Sequence, residues 1–250
     1  MGGITTDIRT GLAFCTRLPL PFGAGPAQAN LAQAVWTFPV IGAGIGALGA
    51  LVYWLGYGAG TSSFVAATLA VTATALITGC LHEDGLADTA DGFGGGATKE
   101  RKLEIMRDSR SGAYGVVALL LSILLRVGAI ASLVDPGLAA AALIAAHAGA
   151  RAAVPVFMAA VPRARQDGLS ASAGTPPQGS VLTAVLLGLL ALLLCLGFGV
   201  AFVAILLVVA GLLLMARLSL KQIGGQTGDV LGAVEQLSEI LILLAASALL

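Results

Sequence analysis

The chain predicts an all-α fold, a polytopic transmembrane helical bundle of about seven spans. Three observations carry that expectation. Of 250 residues, 58% are hydrophobic and only 10% are charged, with a mean hydropathy of +0.97, whereas a soluble domain is about 25% charged. Seven segments reach or approach the ~20 apolar residues that a crossing helix requires: 35–57, 61–80, 113–134, 137–161, 181–197, 199–217 and 236–250. Alternating these segments across a bilayer puts the loops 1–34, 81–112, 162–180 and 218–235 on one side, and nearly every charge outside the spans goes with them.

Taken in order, the N-terminal stretch places Asp7, Arg9 and Arg17 before any long apolar run. That is the wrong order for a cleaved signal peptide, so a retained N-terminus is expected. The first span carries Gly42-x-x-x-Gly46-x-x-x-Ala50, small residues that let helix backbones approach closely. The second, Thr61–Cys80, holds no charge. The third and fourth contain Arg126, His147 and Arg151, and ionisable residues at membrane depth are costly and by default functional. The run 181–217 is too long for one span and is split at Gly197-Phe198-Gly199, where the weakest helix former allows a tight turn. The last segment is short, so six spans plus a half-buried helix is the alternative count. Residues 1–250 form one integral membrane domain, with working loops at about 81–112 and 218–235; Gly168–Gly179 reads as a mobile linker. Arg9, Arg17, Lys99, Arg101, Lys102, Arg107, Arg110, Arg163, Arg165 and Lys221 share one side and mark it as cytoplasmic. The opposite loops hold only Asp135. Cys15, Cys80 and Cys195 are odd in number and lack C-x-x-C spacing, so they imply neither a disulfide framework nor a thiolate metal site.

The densest chemistry lies in HEDGLADTADGFGGG, residues 82–96. Seven of the thirteen acidic residues fall between Glu83 and Asp108. On a helix Asp84, Asp88 and Asp91 lie within about 60° of one another, while Glu83 points about 100° away from Asp84. Like charges on one stripe repel, and a divalent cation with a preference for hard oxygen ligands relieves them: Mg²⁺, Mn²⁺ or Ca²⁺. Glu100, Glu104 and Asp108 form a second helical stripe after a glycine turn at 92–96. Gly85, Gly92, Gly94, Gly95 and Gly96 allow backbone N–H groups near an anion. Arg107 and Arg110 offer planar forks for phosphate oxygens. Together these suggest metal-assisted phosphoryl chemistry. Smaller expectations fall on His82 as a polar group beside the stripe, on Arg151 as an anion ligand, and on Asp229. Glu235 and Glu239, an acidic pair, offer a second cation or hydroxyl site. Trp36, Phe93 and Tyr114 are candidates for stacking on an aromatic base.

These residues also fall into longer patterns: H-x-D-G-L-A-D-T-x-D-G at His82–Gly92, M-x-D-S-R-x-G-A-x-G at Met106–Gly115 and G-G-x-T-G-D-x-L-G-A at Gly224–Ala233, with T-R-L-P at Thr16–Pro19 and F-P-V-x-G at Phe38–Gly42. In them the chain resembles the cobalamin synthases, the adenosylcobinamide-GDP ribazoletransferases, over nearly its whole length. The resemblance implies a transfer at the cytoplasmic face of a prokaryotic inner membrane. A hydroxyl of α-ribazole, or of its 5′-phosphate, attacks the corrinoid-side phosphorus of adenosylcobinamide-GDP and releases GMP. It implies Mg²⁺ held by Asp84, Asp88 and Asp91, with Asp108 as a further ligand or base, and Arg107 or Arg110 on phosphate charge. The expected partners are the corrinoid nucleotide, α-ribazole and membrane lipid, with no nucleic acid. Oligomeric state is not read from the sequence.

Two other classes compete. The CDP-alcohol phosphotransferases share D-x-x-D-G, here Asp88–Gly92, but their Ala-Arg pair after the glycine is replaced by Phe93-Gly94-Gly95-Gly96. A divalent-cation transporter would carry its acids near the bilayer midplane on broken helices, whereas these cluster toward one face.

Overall fold

The computed structural model describes residues 3–19 and 31–250; residues 1–2 and 20–30 of the expected first loop lie outside them. Among the described residues the only strand-like pairing is a bridge between Arg163 and Gln226. The helices run α1 (Ile4–Cys15), α2 (Leu31–Ala34) with a 3₁₀ turn over Val35–Thr37, α3 (Phe38–Gly58), α4 (Ser63–Thr78), α5 (Leu81–Gly95), α6 (Lys99–Ile105), α7 (Ala113–Ser132), α8 (Pro136–Ala160), α9 (Leu169–Ala173), α10 (Gln178–Ile223) and α11 (Gly228–Leu249).

Leu31–Gly58, α7, α8, α10 and α11 are each long and apolar enough to cross a membrane, and α4 with α5 pass only as a pair bent by 89°. Residues such as Leu120 and Leu124 on α7, and Leu194, Leu206 and Leu213 on α10, present their side chains outward, as a lipid-facing belt requires. A straight α10 of 46 residues would measure about 69 Å, more than twice the ~30 Å hydrocarbon core. It breaks at Gly197, whose φ of 71° and ψ of 169° suit a residue without Cβ. Both of its ends return to the start of α3: the Ser180 hydroxyl donates to the Gln33 carbonyl, and Ile223 packs with Leu31, Val35 and Phe38. The middle, Leu192 to Ala204, belongs instead to the core that holds Ile130, Leu133 and Ala139 at the other end. α10 is therefore a helical hairpin turning at the expected glycine. With its arms counted separately the five candidate spans become six, and the bent pair adds a seventh where it is one broken span rather than a re-entrant loop.

α8 sits centrally, against α3, α10 and α11. Its closest neighbour is α3, because Gly42 and Gly46 lie against the backbone carbonyls of His147 and Leu143, where any side chain would overlap them. Caps set the helix starts. Asp135, the one charge at the far end, accepts from the Gly137 and Leu138 amides at 2.8 and 2.9 Å and starts α8 ahead of Pro136. Thr98 and Thr227 cap α6 and α11 in the same way. Cys15 is buried, and burial pushes its thiol up to about 12, so it behaves as apolar filler.

Four expectations change. The second span does not run straight into the acidic stripe; Gly79 and Cys80, both left-handed, turn the chain between α4 and α5. The glycines at 92–95 belong to α5, so their amides lie within a helix and form no open loop. α6 ends at Ile105 and leaves Asp108 off any helical stripe. The loop expected at 218–235 shrinks to 224–227, since α10 continues to Ile223 and α11 begins at Gly228. The final helix is therefore a full 22 residues. The expected linker contains the short α9, and Ser170 on it donates to the Gln226 side chain at 2.7 Å.

Candidate active site

α5 and α11 cross where neither has a side chain. A Cβ on Gly85 would lie 2.7 Å from the Asp229 carbonyl and 3.1 Å from the Gly232 Cα. This close crossing sets the first turn of α11, with Asp229, beside Asp84 and Asp88. Gly85→Ala forces the two backbones apart and is expected to cost about 1–3 kcal/mol of stability and most turnover, measured by thermal unfolding in detergent and by product formation.

Asp84 is exposed, Asp88 half-buried and Asp91 buried. The charges that act on Asp88 are those of Asp84, Asp229 and Asp91, opposed by Arg165. Arg165 reaches Asp229 at 3.4 Å, and the Thr227 hydroxyl donates to the same carboxylate at 3.1 Å. The Nη1 of Arg165 is buried with no partner. Its position comes from a strap: the Ala164 amide donates to the Gln226 carbonyl and the Gln226 amide to that of Pro162. Arg165 reads from sequence only as a cytoplasmic charge, because the bridge that positions it joins Arg163 to Gln226 in a distant motif.

The other expected site residues fall elsewhere. Asp91 accepts from the Gly112 amide at 2.6 Å and the Gly115 amide at 2.9 Å, closing the N-terminus of α7 onto α5. Asp108 is partly exposed and pairs with Arg110 at 2.7 Å; hydrogen bonds from Arg110 hold its carboxyl down at about 2. Arg107 pairs at the surface with Asp167. Gly92 lies against Met106 and the Lys102 carbonyl, where α5 packs on α6. Among the described residues no three of these aspartates bring carboxylate oxygens within 4.8 Å of one another; Asp88 lies within the fields of Asp84, Asp229 and Asp91, while Asp108 stands apart with Arg110.

Behind this cleft lies a second polar cluster within the bundle. Arg126 contacts Glu83 at 3.1 Å and Glu239 at 3.3 Å, while Arg151 contacts Glu235 at 2.7 Å. His82 lies 3.4 Å from Glu235 and His147 lies 3.3 Å from Glu239. Gln236 joins Ser122 and Glu235 at 2.9 and 3.1 Å. Among the described residues, His147, Glu235 and Glu239 are the trio with ligand atoms within 4.8 Å of one another. Their carboxylates are already opposed by the two arginines. Glu83, which points away from the aspartate stripe, meets Arg126 instead.

Between the cleft and this cluster is a cavity of about 140 Å³. His82 and Arg151 line it from the cluster's side, and Asp84, Asp229 and Arg165 from the cleft's side.

Fold and cleft together define an integral membrane protein with an acid-lined site at the charged end of its helical bundle. The chain belongs to the cobalamin-5-phosphate synthase family, whose model it matches over residues 7–247. It is 55% identical to the adenosylcobinamide-GDP ribazoletransferase of Bradyrhizobium diazoefficiens, over 98% of this chain and 94% of that one. The proteins of the same name from Mesorhizobium japonicum and Azorhizobium caulinodans are 50% and 48% identical, covering 98% and 96% of this chain and 93% and 95% of theirs. No solved structure matches.

Proposed function

We propose that this chain is an adenosylcobinamide-GDP ribazoletransferase that works with Mg²⁺ at the cytoplasmic face of a prokaryotic inner membrane. One observation carries the site: two motifs far apart in sequence, at His82–Gly92 and Gly224–Ala233, meet where Gly85 packs on Gly232, bringing Asp84 and Asp88 to Asp229 and Arg165. The basic residues gathered on the loops of this end support the orientation.

The residues fit the metal. Mg²⁺ is usually held by one or two carboxylates plus substrate phosphates, and Asp84, Asp88 and Asp229 with one arginine leave the cleft net negative. Asp88 and Asp229 would hold it, where it would neutralise charge on the bridging and leaving oxygens. Arg165, which lines the cavity beside Asp229, supplies positive charge toward the phosphates of the GDP moiety. A ribose hydroxyl of the ribazole forms the new P–O bond at the corrinoid-side phosphorus; the bond to the bridging oxygen breaks, and GMP leaves. We assign the hydroxyl proton to Asp84, the solvent-exposed carboxylate.

The test is to supply purified protein in lipid with adenosylcobinamide-GDP and α-ribazole. GMP and a complete cobamide are expected with Mg²⁺, and a loss of at least ~10²-fold with chelator. No product in the presence of metal would refute the transferase reading; undiminished product in chelator would remove the metal from it.

A further inference from the structure

We propose that the cavity above the buried cluster is the binding pocket for the aromatic base of the ribazole, an inference that rests on the transferase reading. Phe14, Leu31, Phe38, Val154, Met158 and Leu231 form its apolar lining. These come from α1, α2, α3, α8 and α11, so the pocket is built by the fold rather than by one loop. The rings of Phe14 and Phe38 are parallel, with centroids 5.4 Å apart, a stack held by packing against the neighbouring core residues.

Size and polarity select the occupant. The cavity measures about 140 Å³, and a dry cavity of ~150 Å³ takes an aromatic ring. A corrin macrocycle is far too large to enter. Guanine and adenine carry donors and acceptors along their edges, and those turned toward Phe14, Leu31, Phe38, Val154 and Met158 would go unpaired, at a cost of a few kcal/mol. The dimethylbenzimidazole of ribazole has a methylated hydrocarbon edge and needs no such partners. The remaining side of the cavity is polar in the way a nucleoside requires. Asp84, Asp229 and Arg165 line it, and Arg165 reaches Asp229 at 3.4 Å. A base seated among the apolar residues points its ribose toward Asp84 and the phosphate site.

The aromatic residues singled out from sequence do not contribute to this pocket. Trp36 donates its indole N–H to Asp7 at 2.9 Å, Tyr114 packs on Gly94 and is 59% exposed, and Phe93 packs against the buried core that includes Met106.

The experiment measures steady-state kinetics of the full chain in lipid for both substrates. Val154→Phe fills the pocket and is expected to raise KM for α-ribazole by at least ~10-fold, with KM for adenosylcobinamide-GDP within about twofold. Met158→Ala enlarges it and is expected to shift kcat/KM toward a riboside with a larger base, naphthimidazole, by about fivefold relative to α-ribazole. Unchanged discrimination in both variants overturns the proposal. So does a rise in KM confined to the corrinoid substrate, or a tightly held lipid chain in the cavity that α-ribazole does not displace. If Val154→Phe fails to fold, Met158→Ala decides alone. A wild-type chain that makes no cobamide refutes the transferase reading, whereas a normal wild type with indifferent variants refutes only the pocket.

Discussion

Asp88→Asn is expected to lower kcat by about 10²–10³-fold while the protein unfolds at the wild-type temperature; Asp91→Asn, three residues on, should behave differently. The two aspartates share a helical stripe, yet their surroundings differ. Asp88 is half-buried in a cleft where Asp84, Asp229 and Asp91 act on it with only Arg165 in opposition. The amide isostere removes charge there without removing packing, so chemistry suffers and fold does not. Asp91 gives both of its oxygens to backbone amides, Gly112 at 2.6 Å and Gly115 at 2.9 Å, at the start of α7. An asparagine keeps one acceptor and turns an NH₂ toward a peptide N–H. A buried donor left unsatisfied costs about 1–3 kcal/mol, so Asp91→Asn should lower the unfolding temperature and reduce turnover through the misplaced helix. Thermal unfolding read beside GMP release separates the two. An Asp91→Asn protein with wild-type stability and no turnover would return Asp91 to the metal-binding set.

Much of the fold is legible in the sequence for physical reasons. Apolar length marks the passages, and the break of α10 at Gly197 follows from a run too long for one crossing and a residue that tolerates positive φ. Lys and Arg sort to one end because a charge on the far side must be translocated. The direction of α5 is not legible, because Cys80 takes a left-handed conformation (φ 56°) that its residue type does not announce. Hydropathy also misplaces the start of α11: it scores Glu235, Gln236 and Glu239 singly, as if each stood in lipid. In the fold they face Arg151, Ser122 and Arg126, so a polar sequence lies at membrane depth without an unpaired charge facing hydrocarbon. The site divides along the same line. Asp84 and Asp88 are found by local helical spacing. Their meeting with Asp229 and Arg165 depends on a helix crossing and a strap, neither of which has a local signal.

Arg126→Met is expected to cost about 3–5 kcal/mol, the usual effect of removing one partner from a buried ion pair. Arg126 is 1% exposed and holds Glu83 on α5 and Glu239 on α11 with one guanidinium nitrogen. With it, three carboxylates of the cluster face two guanidiniums; without it, Glu83, Glu235 and Glu239 face Arg151 alone. Dispersion contacts from the methionine do not offset that, because the loss lies in the carboxylates left behind. The second substitution is therefore the informative one: Arg126→Met with Glu83→Gln should recover a substantial part of the loss, whereas independent sites would add. Chemical denaturation of the two single variants and the double variant in detergent closes the cycle. Recovery locates the role of the cluster in fastening α5 to α7 and α11 behind the aspartates. If Arg126→Met is instead as stable as wild type but turns over slowly, the cluster acts on the reaction itself, through His82, which touches Glu235 on one side and lines the cavity on the other.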